Sequence, residues 1–205
     1  MNETRQNALC DADNAVLLVI DPQDKILRMA FDREALQKNL SRVMRLAGLH
    51  SVPVVLTEQY PAGLGPTVPE LRKVFDESRS SSYFMEKKFF GCCGEPGFNE
   101  LLQQVAGGIR DRRSSGGTEP VDIVVAGIES HICVQQTVLG LLEQGYRLVV
   151  LQDCTGGRFE QDHRIAMERF RKGNVVISSF ESLAFEWTRS KDHPAFKQVS
   201  ALVRE

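Results

Sequence analysis

Short runs of β-branched and aliphatic residues recur along the chain with helix-like stretches between them, and this alternation most narrows what the sequence can fold into. The runs cover residues 16–20, 54–56, 121–126, 148–151 and 175–177. They are apolar throughout rather than at every second position, which is the pattern of strands buried on both faces. A sixth, less apolar strand is expected over residues 82–87. Helices are expected over 34–49, 98–106, 131–144 and 162–172, with Gly145 and Gly173 placed to stop the last two. Strands that alternate with helices predict an α/β fold of the doubly wound, Rossmann-like kind: a parallel sheet between two helical layers.

A chain of 205 residues supports one such core, so a single domain over 1–205 is expected. Residues 1–13 read as an N-terminal tail. The Gly-, Ser- and Arg-rich stretch 107–120 reads as a surface loop before the fourth strand, and the Pro- and Gly-rich stretch 61–69 as a shaped loop rather than a helix. A net charge of -2 offers no basic excess for a polyanion, so nucleic acid is disfavoured as a partner. No apolar run reaches membrane-spanning length, and the first residues carry neither a signal peptide's apolar core nor a transit peptide's Arg-rich pattern. A cytoplasmic protein is expected, with association with mitochondria left open. The five cysteines lack zinc-type spacing and are read as free thiols.

In an open parallel sheet the ligand crevice lies beyond the carboxyl ends of the strands, so residues just past each apolar run are the candidates for chemistry. Asp21 follows the first run, Lys87 ends the less apolar strand, and Cys133 opens the helix after 121–126. A thiol attacks a carbonyl only as thiolate. A helix N-terminus and a nearby ammonium would favour that form, so Cys133 is expected to alkylate below the pH of a free thiol, with Asp21 taking the proton. Taken singly, each has a plainer role. Asp21 before Pro22 could cap a helix, Cys133 could be a buried inert thiol, and Lys87 could be solvated beside Lys88. His131 could assist the thiol or simply start the helix. Tyr60, Phe89, Phe90 and Phe159 could line a pocket or fill the core, and Cys154 is expected to be structural.

Three ordered segments carry a resemblance. Val-Ile-Asp-Pro-Gln-Asp at 19–24, Glu-Lys-Lys-Phe-Phe at 86–90 and Ala-Gly-Ile-Glu-Ser-His-Ile-Cys at 126–133 are similar to the motifs of the isochorismatase-like cysteine hydrolase family. The segments 57–71 and 193–197 resemble the branch of isochorismatase domain-containing proteins, which includes a protein described as a mitochondrion-associated ribonuclease. The resemblance implies a six-stranded parallel sheet and an Asp21, Lys87, Cys133 catalytic triad. It further implies a cis peptide at Ile128–Glu129, with the N–H groups of Glu129 and Cys133 forming an oxyanion hole. Gln23, Tyr60, Phe90 and His131 are the candidates for the substrate pocket.

Departures from the family shape the rest. Gly91 stands where many relatives have Ser. Glu58-Gln59-Tyr60 stands where nicotinamidases carry metal-binding Asp and His, so no metal and no cofactor are expected. Isochorismatases proper lack the cysteine, so Cys133 points to thioester chemistry on a small amide-like or related C–N substrate. An ether or ester hydrolase on the same scaffold, or an inactive oligomeric binding scaffold, stays open. A homo-oligomer, dimer or tetramer, is the expected assembly, with Phe185, Trp187 and Phe196 as apolar residues that could serve it.

Overall fold

The computed structural model describes residues 8–112 and 121–205. Strands β1 (Ala15–Ile20), β2 (Val54–Gln59), β3 (Ser82–Lys87), β4 (Asp122–Ile128), β5 (Arg147–Gly156) and β6 (Val176–Ser178) form one sheet in the order β3-β2-β1-β4-β5-β6. Every pairing is parallel. Such strands need crossovers, and the described helices supply them: α1 (Asp24–Leu27), α2 (Arg33–Leu49), α3 (Pro61–Leu64), α4 (Pro69–Asp76), α5 (Phe98–Arg112), α6 (Gln135–Glu143), α7 (Glu160–Lys172), α8 (Phe180–Thr188) and α9 (Phe196–Arg204).

Residues of opposite parity along β1 feed two cores. Leu17 and Val19 pack with Leu40, Met44, Leu183 and Leu202 from α2, α8 and α9. Val16, Leu18 and Ile20 pack with Phe98, Leu102, Val138, Leu141 and Phe170 from α5, α6 and α7. Both faces of the sheet are therefore covered, giving three layers. The continuous apolar runs follow directly, since every residue of β1 and of β4 is buried; each fully buried Leu, Ile or Val contributes about 1.5–3 kcal/mol.

Several boundaries differ from the sequence reading. Helix α5 runs on through Gly107 and Gly108 to Arg112, so the first half of the stretch read as a loop is helical; its remainder, 113–120, lies outside the described residues. The nine helical residues before the glycine pair, with Leu102, Val105, Ala106 and Ile109 packed in the core, outweigh their poor propensity. The stretch 61–69 holds one helical turn, α3, because Pro61 at its first position has φ preset for a helix. A Cβ on Gly63 would meet the Tyr60 ring at 2.2 Å, so a larger residue there would push that exposed side chain aside. The tail 1–13 is not wholly apart from the core. Cys10 is buried, its N–H donates to Glu186, and its sulfur accepts from the Trp187 indole; residues 1–7 lie outside the description. Trp187 is thereby core, not an association surface, whereas Phe185, two residues earlier and on the opposite side of the helix, is exposed. The expected helix over 131–144 starts as a wide π-helical turn, Ser130–Val134, before α6. Among the described residues no helix is long and apolar enough to cross a membrane.

Candidate active site

Strand order reverses direction between β1 and β4, and the crevice of an open parallel sheet forms at that point. Asp21 is the first residue beyond β1 and takes a left-handed conformation, φ 50°. It caps no helix, since α1 begins only at Asp24 with Gln23 before it. Its carboxylate is instead fully buried and satisfied on both oxygens. Thr57 Oγ1 on the neighbouring strand β2 donates to Oδ1 at 2.8 Å, and Lys87 Nζ donates to Oδ2 at 2.6 Å.

Lys87 explains why the edge strand β3 reads as weakly apolar. Exposure alternates along it, and only its last residue, the lysine, is buried, at 2% exposed. From two strands away, about 9–10 Å at the usual spacing, the long side chain crosses the end of β2 to reach Asp21. The ammonium's other protons go to the carbonyls of Phe89 at 3.2 Å and Phe90 at 2.9 Å. A buried charge requires this complete pairing.

Cys133 comes from the other side of the switch point. Gly127, near the end of β4, has φ 119°, and a Cβ on it would lie 2.1 Å from the Ile20 carbonyl oxygen. Only glycine lets β4 approach β1 this closely. The Ile128–Glu129 peptide is cis. The N–H groups of Ile132 and Val134 then both close on the Glu129 carbonyl, at 3.0 and 3.2 Å, which makes the wide turn that carries Cys133. Cys133 is 7% exposed, and its thiol lies within the electrostatic reach of both the Asp21 carboxylate and the Lys87 ammonium. Thr137 Oγ1, one turn on, donates to the Cys133 carbonyl at 2.7 Å and accepts the Cys92 N–H at 2.9 Å, so the loop after Lys87 is tied to the helix after Cys133.

The electrostatics correct one expectation. Burial and the Asp21 charge together push the Cys133 thiol well above the ordinary range, outweighing Lys87. The cysteine rests as a thiol, not as the preformed thiolate that a helix start and an ammonium suggest. Burial also raises Asp21 despite Lys87, Thr57 and the thiol, so its carboxylate is a better base than a solvated one. For Lys87, burial pulls down but the Asp21 charge leads the groups that raise it, and the net direction is upward. The resting state is thus a lysine cation, a basic carboxylate and a neutral thiol.

The remaining candidates divide. Gln23 is fully buried and spends its amide on backbone: Nε2 donates to Gln59 and Gly65 carbonyls, and Oε1 accepts from Gln59 N–H. It clamps the loop after β2 with both of its donors spent on backbone, a role its Asp-Pro-Gln setting does not reveal. Tyr60 and Phe90 are exposed at the rim, Tyr60 through a left-handed residue whose N–H donates to the Lys87 carbonyl. His131 is partly exposed; its Nε2 lies 3.8 Å from Asp162, and its buried Nδ1 has no partner among the described residues. Cys154 is buried in the core. Thr57, Thr137 and Glu129 with Arg158 complete the surroundings. Thr57 and Thr137 carry no signal in the sequence beyond their place at a strand end or one turn past the cysteine.

The family model for the isochorismatase domain matches residues 15–181, a span that contains the whole site. The chain belongs to the isochorismatase family. It is 31% identical over 193 residues to Isochorismatase family protein 1B of Dictyostelium discoideum, covering 94% of this chain and 87% of that one. Among solved structures, the MAR1 ribonuclease from Caenorhabditis elegans superposes with a TM-score of 0.82 at 27% identity, over 97% of this chain and 93% of that chain. The YcaC gene product of Escherichia coli, described as an octameric hydrolase of unknown specificity, shares the fold with a TM-score of 0.76 at 19% identity, over 96% and 97% of the two chains. Membership of this isochorismatase family makes the protein a hydrolase by family.

Proposed function

We propose that this isochorismatase-family protein is a cysteine hydrolase of a small amide-like or related C–N substrate, working through a thioester without a cofactor. The observation that carries the reading is one buried carboxylate, Asp21, ion-paired with the Lys87 ammonium and close enough to the buried Cys133 thiol for its charge to act on it. As the sulfur attacks the carbonyl carbon, its proton passes to Asp21, and the C–O π electrons move to oxygen. The backbone N–H groups of Glu129 and Cys133 are assigned to that oxyanion, where preorganised donors are worth most. Collapse breaks the C–N bond, and the proton held on Asp21 leaves with the amine. Asp21 then accepts a proton from water, which attacks the thioester; the acid departs and the thiol is restored. Lys87 keeps Asp21 ionised between these transfers.

A panel of small amides, carbamoyl compounds and esters tests this against wild type and Cys133→Ala. Turnover that disappears in the variant, with an acyl adduct on Cys133 seen by mass spectrometry, is the expected result. Turnover that survives in Cys133→Ala overturns it. Esters preferred over amides would select the ester reading on the same scaffold.

Self-association belongs to the same reading. Phe31, Tyr60, Phe89, Phe90 and Phe159 are all exposed on segments that border the site, a concentration of aromatic surface that an association would cover. Light scattering that finds only monomer at micromolar concentration would refute it. Five free cysteines fit a reducing compartment such as the cytoplasm. The ribonuclease name of the nematode structure is not extended to this chain, whose charge of -2 provides no basic surface excess for a polyanion.

A further inference from the structure

One hydroxyl ties the turn that carries Cys133 to two neighbouring elements. Ser130, the first residue of that turn, is fully buried, and its Oγ lies 2.9 Å from the Gly156 carbonyl at the end of β5 and 2.8 Å from His163 Nδ1 on α7. A serine hydroxyl has one proton to give. A carbonyl can only accept, so Gly156 takes that proton, and the contact with His163 runs the other way: Nδ1–H donates and Oγ accepts. Burial pulls the His163 pKa below its ordinary value, so the ring is neutral and this N–H is its only one. The tautomer of His163 is thus fixed by the hydroxyl it faces.

This pair is no second catalytic dyad. In a dyad the imidazole accepts the serine's proton, whereas here that proton points at Gly156 and Ser130 has no exposed surface to offer a substrate. What the pair does is locate residue 130. Gly156 is a firm anchor, since it is paired with Ile128 of β4 and a Cβ on it would lie 2.6 Å from Leu36 Cδ2 on α2. His163 is buried, its ring lies 5.8 Å from that of Phe31, and its backbone N–H donates to the Phe159 carbonyl at 3.3 Å at the start of α7. The residue before it, Asp162, stands 3.8 Å from Nε2 of His131, the next residue of the turn. The start of α7 therefore faces the turn at two successive residues, two and three positions before the cysteine.

We infer that His163 is a positioning residue: by donating to Ser130 it sets the turn on which the Cys133 sulfur and backbone N–H sit, so that this N–H stays aimed at the oxyanion while the sulfur attacks. The inference rests on Cys133 being the nucleophile. His163 touches no reacting atom. Its contribution is preorganisation, because a donor stabilises developing charge most when it does not have to move, and a hydroxyl that spends both its proton and a lone pair on fixed partners leaves the turn little freedom to shift.

Two reagents read the turn and the thiol separately. p-Nitrophenyl acetate acylates a thiol through a tetrahedral oxyanion: the S–C bond forms, the thiol's proton passes to Asp21, and nitrophenolate leaves behind an acetyl thioester. Iodoacetamide alkylates by displacing iodide from a saturated carbon and develops no oxyanion. Both rates are measured at Cys133 by peptide mapping at one pH, with Cys133→Ala as the background. In His163→Leu acylation should fall about tenfold, less than the loss of a whole oxyanion donor, while alkylation stays at the wild-type rate. His163→Asn, whose amide nitrogen takes the place of Nδ1, should recover most of the loss, and Ser130→Ala, which deletes only the shared oxygen, should lose at least as much as the leucine variant. Circular dichroism checks the fold, and if the leucine variant fails to fold the other two decide. Acylation at the wild-type rate in Ser130→Ala, or an asparagine variant as slow as the leucine one, overturns the role of His163 and leaves the hydrolase reading intact. Slower acylation accompanied by faster alkylation marks an opened site and overturns it too. A wild-type Cys133 that alkylates but takes no acetyl group overturns the hydrolase reading and this inference with it.

Discussion

Lys87→Met removes the ammonium that pairs with Asp21 and leaves a carboxylate with no counter-charge in a site where both partners are almost without solvent contact. Breaking one side of such a pair costs about 3–5 kcal/mol, because the surviving charge keeps its desolvation penalty and loses its compensation. The carbonyls of Phe89 and Phe90 also lose a donor, but both residues are exposed and water can replace it. Asp21→Asn should cost a similar amount by stranding the ammonium. The double variant carries neither charge, so its loss should fall short of the sum of the singles by about 2 kcal/mol or more. For a chain of this size that shortfall is roughly 4–8 °C in Tm. The pH dependence adds a second signature. Without Lys87 the folded pKa of Asp21 rises further above its unfolded value, so the native state binds the extra proton. Stability of Lys87→Met should therefore be greatest below the ordinary carboxylate range and decline as pH rises through the elevated folded value. Urea titrations of the four proteins at several pH values measure both effects. Additive losses within about 0.5 kcal/mol, or a deficit in Lys87→Met that does not shrink as pH falls, would refute the buried pair.

Other outcomes follow from the same geometry. Thr57→Val deletes a donor to Asp21, raising its pKa further; the acid limb of the pH–kcat/KM profile should move to higher pH, and stability should fall by about 1–3 kcal/mol. An unshifted limb would mean that Asp21 is not the base. Alkylation of Cys133 by iodoacetamide should rise only above the pH of an ordinary thiol, and Asp21→Asn should bring that rise to lower pH, because the Asp21 charge is among the causes of the elevation. A wild-type thiol that reacts at acidic pH would contradict the resting state described above. Gly127→Ala forces a Cβ against the Ile20 carbonyl at a φ that L-residues avoid; we expect a loss of more than about 3 kcal/mol or insoluble protein, read by denaturant titration. Near wild-type stability would show that β1 and β4 can separate without cost.

Some of this molecule was decided one segment at a time and so could be read before any folding. Runs such as 16–20 and 121–126 are apolar at every position because both faces of a parallel strand are buried, and the periodicity of a strand is local information. The three candidate residues were legible because each sits at or shortly past the carboxyl end of a strand: Asp21 directly after β1, Lys87 at the end of β3 and Cys133 in the turn after β4. The terminal helices were not, since no strand follows 180–188 or flanks 196–204 to mark either as a crossover, and each is held by packing on α2. Chemical state was further out of reach. A helix start and a lysine suggest a thiolate, and only the burial of Cys133 against an ionised Asp21 reverses that. Gln23 follows the same logic: its motif marks a site, but its partners, 36 and 42 positions away in the chain, make it a clamp. The sequence by itself determined the alternation of strands and helices and the rim on which the reactive residues lie. Tertiary structure decided which of them lose water and which form an ion pair, because desolvation and distance depend on contacts between segments that no local pattern encodes.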